Sequence, residues 1–163
     1  MRLALYFALC ASTLAQSGLA QSASKYDGPR PPKTDVPYLL HATNLIETET
    51  LKAKEETRKN NQVASVPGKA SPVRTPLSEP IFLFDSSKIQ AEKLKLFRME
   101  VTKDGGREAV FPDNPKKTQR PVHLQVKKLS GNLYRVEVDE TLENGQYCLS
   151  PEGDSTVFCF EIF

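Results

Sequence analysis

The stretch Gln146-Tyr147-Cys148-Leu149-Ser150-Pro151-Glu152-Gly153-Asp154-Ser155-Thr156-Val157-Phe158-Cys159-Phe160 consists of two alternating apolar runs joined by turn residues. That pattern predicts a β-hairpin. Setting Cys148 opposite Cys159 also sets Leu149 against Phe158 and Tyr147 against Phe160, so one face is apolar and the other carries both cysteines. A four-residue loop at 152–155 places the cysteines at a non-hydrogen-bonded pair, the closer of the two cross-strand sites.

Whether the pair is bridged depends on where the chain goes. Residues 1–20 open with Met1-Arg2, continue with an apolar run over 3–14 and end in Gly18-Leu19-Ala20, the layout of a secretory signal peptide. The apolar run is shorter than the roughly 20 residues that a membrane-spanning helix needs, and no other stretch approaches that length. Bulky Leu9 before Cys10 argues against a lipidated cysteine. Cleavage after Ala20 removes Cys10, so the exported chain, periplasmic or secreted, keeps Cys148 and Cys159 in an oxidising compartment. A structural disulfide is the expectation. A redox or metal-binding pair has no Cys-x-x-Cys spacing behind it, and neither histidine is near in sequence.

Upstream of the hairpin the strand pattern continues. Ile81-Phe82-Leu83-Phe84 reads as a buried strand, 94–102 alternates, Lys103-Asp104-Gly105-Gly106 is a tight turn, and 107–111 returns. Strands at 122–129 and 133–138 flank the turn Ser130-Gly131-Asn132. Seven strands from Ile81 onward, with one or two before it, predict an all-β antiparallel sandwich over 36–163 with at most one short helix. Residues 36–46 are apolar enough for one strand, which Pro37 confines to an edge or to a start at Tyr38. Residues 47–61 are the helix candidate, on the i, i+4 spacing of Glu55 and Lys59. A short strand follows at 62–66, and prolines at 67, 72, 76 and 80 make 67–80 a surface connection. Residues 21–35, rich in proline and polar groups, read as a flexible arm.

Between the last two hairpins stands Thr141-Leu142-Glu143-Asn144-Gly145-Gln146-Tyr147, which resembles the tyrosine corner of immunoglobulin-like and fibronectin-like sandwiches. The resemblance covers about the last 80 residues. It implies that Leu142 plugs the core, that Gly145 permits a close approach, and that the Tyr147 hydroxyl bonds back to the backbone of the crossing loop 139–144. Cys148 directly follows the tyrosine and tryptophan is absent, unlike in antibody domains. The ending is also similar to secreted bacterial proteins from which no activity carries over.

Composition narrows function by exclusion. The 163 residues carry a net charge of +2, with 39% hydrophobic and 26% charged residues, so no polyelectrolyte character points to nucleic acid. Catalysis needs a nucleophile with a base or carboxylates in unlike environments, and His41 and His123 both lie in strand patterns. Asp139, Glu140 and Glu143 crowd one loop without the spacing of a calcium site and read as solvated charges. No cofactor is expected. Charge is uneven: six basic residues and no acidic ones lie from 114 to 135, and seven acidic and no basic ones from 136 to 163. Cross-strand pairing is one explanation, and an anion-binding ridge at 112–121, with Lys116, Lys117 and Arg120 as contacts, is the other. The resulting expectation is a non-enzymatic exported module that contacts an envelope protein, with an anionic glycan or lipid head group on the basic loop as the alternative.

Overall fold

The computed structural model describes residues 26–114 and 119–163; the expected signal peptide, the start of the arm, and Lys116 and Lys117 lie outside them. The first strands are β1 (Pro37–His41), β2 (Asn44–Glu47), β3 (Glu49–Lys52), β4 (Lys54–Arg58), β5 (Asn61–Pro67) and β6 (Arg74–Thr75). Then come β7 (Ile81–Asp85), a single 3-10 turn (Ala91–Lys93), β8 (Lys95–Val101), β9 (Gly106–Pro112), β10 (Leu124–Ser130), β11 (Leu133–Val138), β12 (Gly145–Ser150) and β13 (Thr156–Ile162).

One sheet has the order β10-β11-β7-β1-β2, and the second contains β13-β12-β8-β9. With β1 as first strand and β13 as last, the two orders are those of an immunoglobulin-like sandwich. The two sheets bury Leu39, Phe82, Phe84 and Val136 against Leu96, Tyr147, Leu149, Phe158 and Phe160. Phe82 and Phe160 meet edge to face with centroids 5.2 Å apart, and Tyr147 stacks on Phe160 at 5.8 Å. The C-terminal hairpin has the expected register, Cys148 facing Cys159 and Leu149 facing Phe158. Cys148 and Cys159 are bridged, with Cα atoms 4.0 Å apart, the short separation of a non-hydrogen-bonded pair.

The segment between the first two sandwich strands departs from the sequence reading. Residues 47–61 form no helix; they are the end of β2, then β3, β4 and the turn into β5. Thr48, Thr50 and Thr57 favour extended backbone, and Glu56 pairs with Lys54 and Arg58 two residues away along one strand face instead of using i, i+4 spacing. Lys59 and Asn60 both have positive φ, 49° and 65°, so they form the two-residue hairpin turn that ordinarily calls for Asn-Gly. Residues 36–46 likewise form two strands, reversed at Ala42 (φ 53°), and β1 lies between β7 and β2 with Pro37 as its first residue. The connection 67–80 is partly interior, with Ser71 and Thr75 buried and β6 lying parallel to β13. The described end of the arm is anchored: the Asp35 amide donates to Asp85 O at 2.8 Å, and Lys33 pairs with Glu47 at 2.8 Å.

This inserted segment turns the second sheet into a closed structure. Its full order is β3-β13-β12-β8-β9-β5-β4, and β3 and β4, at its two ends, are separated in the chain by Ala53 alone. Lys52 pairs with Thr156 on one side and Lys54 with Ser65 on the other. Counting β3 and β4 as one broken strand, six strands enclose a small barrel on the outer face of the disulfide hairpin. A second core of Val66, Met99, Ala109, Cys148, Val157 and Cys159 lies within it.

Candidate functional site

Alternation sends every second side chain of each barrel strand inward. On β9 these are Arg107, Ala109 and Phe111; on β12, Gln146, Cys148 and Ser150; across β3 and β4, Leu51, Ala53 and Glu55. One end is closed by Arg107, whose side chain is fully buried. Its Nη1 donates to Glu49 Oε2 at 3.0 Å, Nε to Gly68 O at 2.9 Å and Nη2 to Pro67 O at 2.9 Å. Gln146 Oε1 accepts from the Ser71 amide at 2.8 Å beside it. A guanidinium held by a carboxylate and two carbonyls meets the condition for burying a charge.

The other end is open. A cavity of about 110 Å³ runs into it, lined by Val66, Met99, Ala109, Cys148 and Val157 in its depth. Its wall includes Phe97 and Phe111, edge to face with centroids 5.0 Å apart. Those rings sit where β8 and β9 separate, because the two strands pair only at Glu100↔Glu108 and Val101↔Arg107. Backbone freed on β8 is taken up by the following segment: Gln119 Nε2 donates to Arg98 O at 2.9 Å and the Val122 amide to Leu96 O at 2.8 Å. Ala64 and Ala109 face each other in register, and their short side chains leave the space unfilled.

The rim is polar and acidic, made by Glu55, Ser150, Asp154 and Ser155. Asp154 Oδ1 accepts from the Thr156 amide at 2.8 Å and hydroxyl at 2.9 Å and from Lys52 Nζ at 3.1 Å, and these bonds pull its carboxyl down to about 2. The Ala53 amide donates to Ser155 O at 2.8 Å, fixing the loop over the strand break.

Of the residues singled out in the sequence for ligand contact, Arg120 is described, and it does not line this mouth. Arg120 sits elsewhere, its Nη2 2.8 Å from Glu140 Oε2, and Arg135 pairs with Glu137, so two of the six basic residues are matched to the acidic segment. Lys127 instead faces Arg135 across the ladder. Glu140 also accepts from the His123 amide and Glu143 pairs with Arg98. His41 hydrogen-bonds to Thr75 Oγ1 at 2.8 Å, and His123 lies 3.2 Å from Asp139. No cluster of histidine, cysteine and acidic residues among the described residues has the geometry of a metal site.

The corner residues are placed together on the sandwich side. Leu142 is buried in the main core, and Tyr147 Oη donates to Glu143 O at 2.9 Å. Arg98 grips the same loop through Glu143 Oε2 at 2.7 Å and Asn144 O at 3.3 Å, and a Cβ on Gly145 would come within 3.4 Å of its guanidinium. Among the described residues no helix is long and apolar enough to cross a membrane.

No known family model, curated protein or solved structure matches this chain.

Proposed function

We propose that this protein is an exported, non-enzymatic β-sandwich module that acts by binding at the cell envelope, with the barrel mouth as its recognition element. The observation that carries the reading is the lining of the mouth, where side chains from all six barrel strands surround one unfilled apolar space. Protein interiors ordinarily pack to high density. At roughly 24 cal/mol per Å³, a space of about 110 Å³ forgoes on the order of 2 to 3 kcal/mol of stability. Leucine in place of Ala64 or Ala109 would recover part of it, so the facing alanines favour an open recess over a filled core. Apolar walls with a few polar groups at one edge are the usual make-up of a ligand pocket.

The experiment is a titration of the full exported chain with 2-phenylethanol, followed by the methyl resonances of Met99 and Ala109. Saturable shifts are expected in the parent and not in Ala64→Leu, whose melting temperature should be equal or higher. A parent protein without saturable shifts would remove the barrel mouth as a binding element.

A further inference from the structure

The rim of the mouth carries charge that the barrel does not use. Glu55 follows Leu51 and Ala53 on the inner face of the broken strand, and it lines the cavity while remaining exposed. Its neighbour Glu56 faces outward and binds Lys54 and Arg58, whereas Glu55 has no ion-pair or hydrogen-bond partner among the described residues. No lysine or arginine lines the cavity. Lys52 is engaged by Asp154 and Thr156, and Arg58 by Glu56 and Glu108. The second carboxylate of the rim, Asp154, stays ionised at all physiological pH values. The rim is therefore acidic, above a recess with aromatic rings in its wall and sulfur in its depth, surfaces that favour a further aromatic ring.

We propose that the mouth takes a phenylalkylammonium group, with its ring seated against Phe97, Phe111 and Met99 and its cationic nitrogen at the Glu55 carboxylate. The size agrees: an enclosed engineered cavity of about 150 Å³ accepts benzene, and this recess of about 110 Å³ is open at one end, where the alkyl stem leaves. Charge selects within that class, because an anionic head would meet the unpaired Glu55 carboxylate while the nearby Lys52 is already held by Asp154 and Thr156. The group occurs both as a free arylalkylamine and as the N-terminal phenylalanine of a polypeptide. The inference rests on the reading of the mouth as a binding element.

Phenethylamine, 2-phenylethanol and 3-phenylpropionate share one ring and differ in the head, so titrating each into the full chain separates shape from charge. The amine should bind about fivefold more tightly than the alcohol at low ionic strength, as befits a partly exposed ion pair, and the carboxylate more weakly than either. Glu55→Gln should bring the amine to the alcohol's affinity and leave the alcohol unchanged, while Glu56→Gln should alter neither. A peptide Phe-Gly-Gly that binds more tightly than phenethylamine, and loses binding on N-acetylation, assigns the group to a polypeptide end; tighter binding of the amine assigns it to a free amine. Saturable binding of all three with no preference for the amine, or a preference that survives Glu55→Gln, overturns the charge assignment and leaves the pocket standing. If none of the three binds saturably, both readings fall.

Discussion

Arg107 on β9 and Glu49 on β3, strands that do not pair with each other, meet at 3.0 Å across the barrel's closed end with the arginine wholly removed from solvent. The guanidinium also holds the carbonyls of Pro67 and Gly68, so it seals the end by satisfying the inserted segment's backbone rather than by apolar packing.

Arg107→Met should therefore leave a shielded carboxylate and two carbonyls without their donor, at a cost of about 3 kcal/mol. Glu49→Gln keeps the shape and one acceptor oxygen and should cost about 1 kcal/mol. Urea unfolding at pH 7 gives both values. An Arg107→Met protein as stable as its parent would mean that burying the guanidinium costs what its bonds return.

The Cys148–Cys159 bridge closes a short loop, with the cysteines 11 residues apart, for which the chain-entropy model gives roughly 2.5 to 3 kcal/mol. Because Cys148 forms part of the cavity wall, replacing both cysteines with serine should lower stability by about that amount and also weaken 2-phenylethanol binding. Non-reducing peptide mapping of the parent should recover the pair linked. Unchanged stability in the double variant would show that the neighbouring ladder alone holds the hairpin.

The sandwich was legible because its strands fill space. From Ile81 onward the core faces carry large apolar side chains at every second position, and turn chemistry marks their ends, as at Asp104-Gly105, where Gly105 has φ +85°. The inserted segment has neither mark. Its turns use Ala42, Lys59 and Asn60 in left-handed conformations that other residues mark more plainly, and the inner face of β3 and β4 carries just two apolar side chains, Leu51 and Ala53, between Glu49 and Glu55 because it borders a cavity. A pattern of buried side chains finds filled cores and passes over empty ones. The extended preference of Thr48, Thr50 and Thr57 was the available signal against a helix there. Arg107 gave no signal, since its partners at 49, 67, 68 and 146 are assembled only by the fold.

Asp154 makes stability depend on pH in a known direction. Its carboxyl is lowered from 3.8 to about 2 by the Thr156 amide, Lys52 and the Thr156 hydroxyl, so the unfolded chain takes up the proton first as pH falls. The stabilisation is present above the unfolded value and is lost as pH drops through about 2. Asp154→Asn should melt lower than the parent at pH 7, with the gap narrowing from about pH 4 downward. Melting curves of both proteins between pH 2 and 7 measure it. A gap that stays constant to pH 2 would place the effect in the asparagine's packing and not in the lost charge.

Tyr147 joins the two halves of the sandwich argument. Its ring is buried in the main core against Phe160, while its hydroxyl reaches the Glu143 carbonyl in the loop that carries the chain from one sheet to the other. Burial pushes the phenol's pKa up, which keeps the hydroxyl protonated as a donor. Arg98 secures the same loop from β8, but through the Glu143 carboxylate and the Asn144 carbonyl, so it does not duplicate the bond to Glu143 O. Tyr147→Phe retains the ring and removes only that bond, and should cost roughly 1 to 3 kcal/mol. Glu143→Gln removes the charge pair with Arg98 and leaves its bond to Asn144 O, so it acts on an exposed pair and should cost well under about 1 kcal/mol. If the two variants are equally mild, the hydroxyl is exchanging with water, and the loop is held by its backbone and by Leu142 in the core.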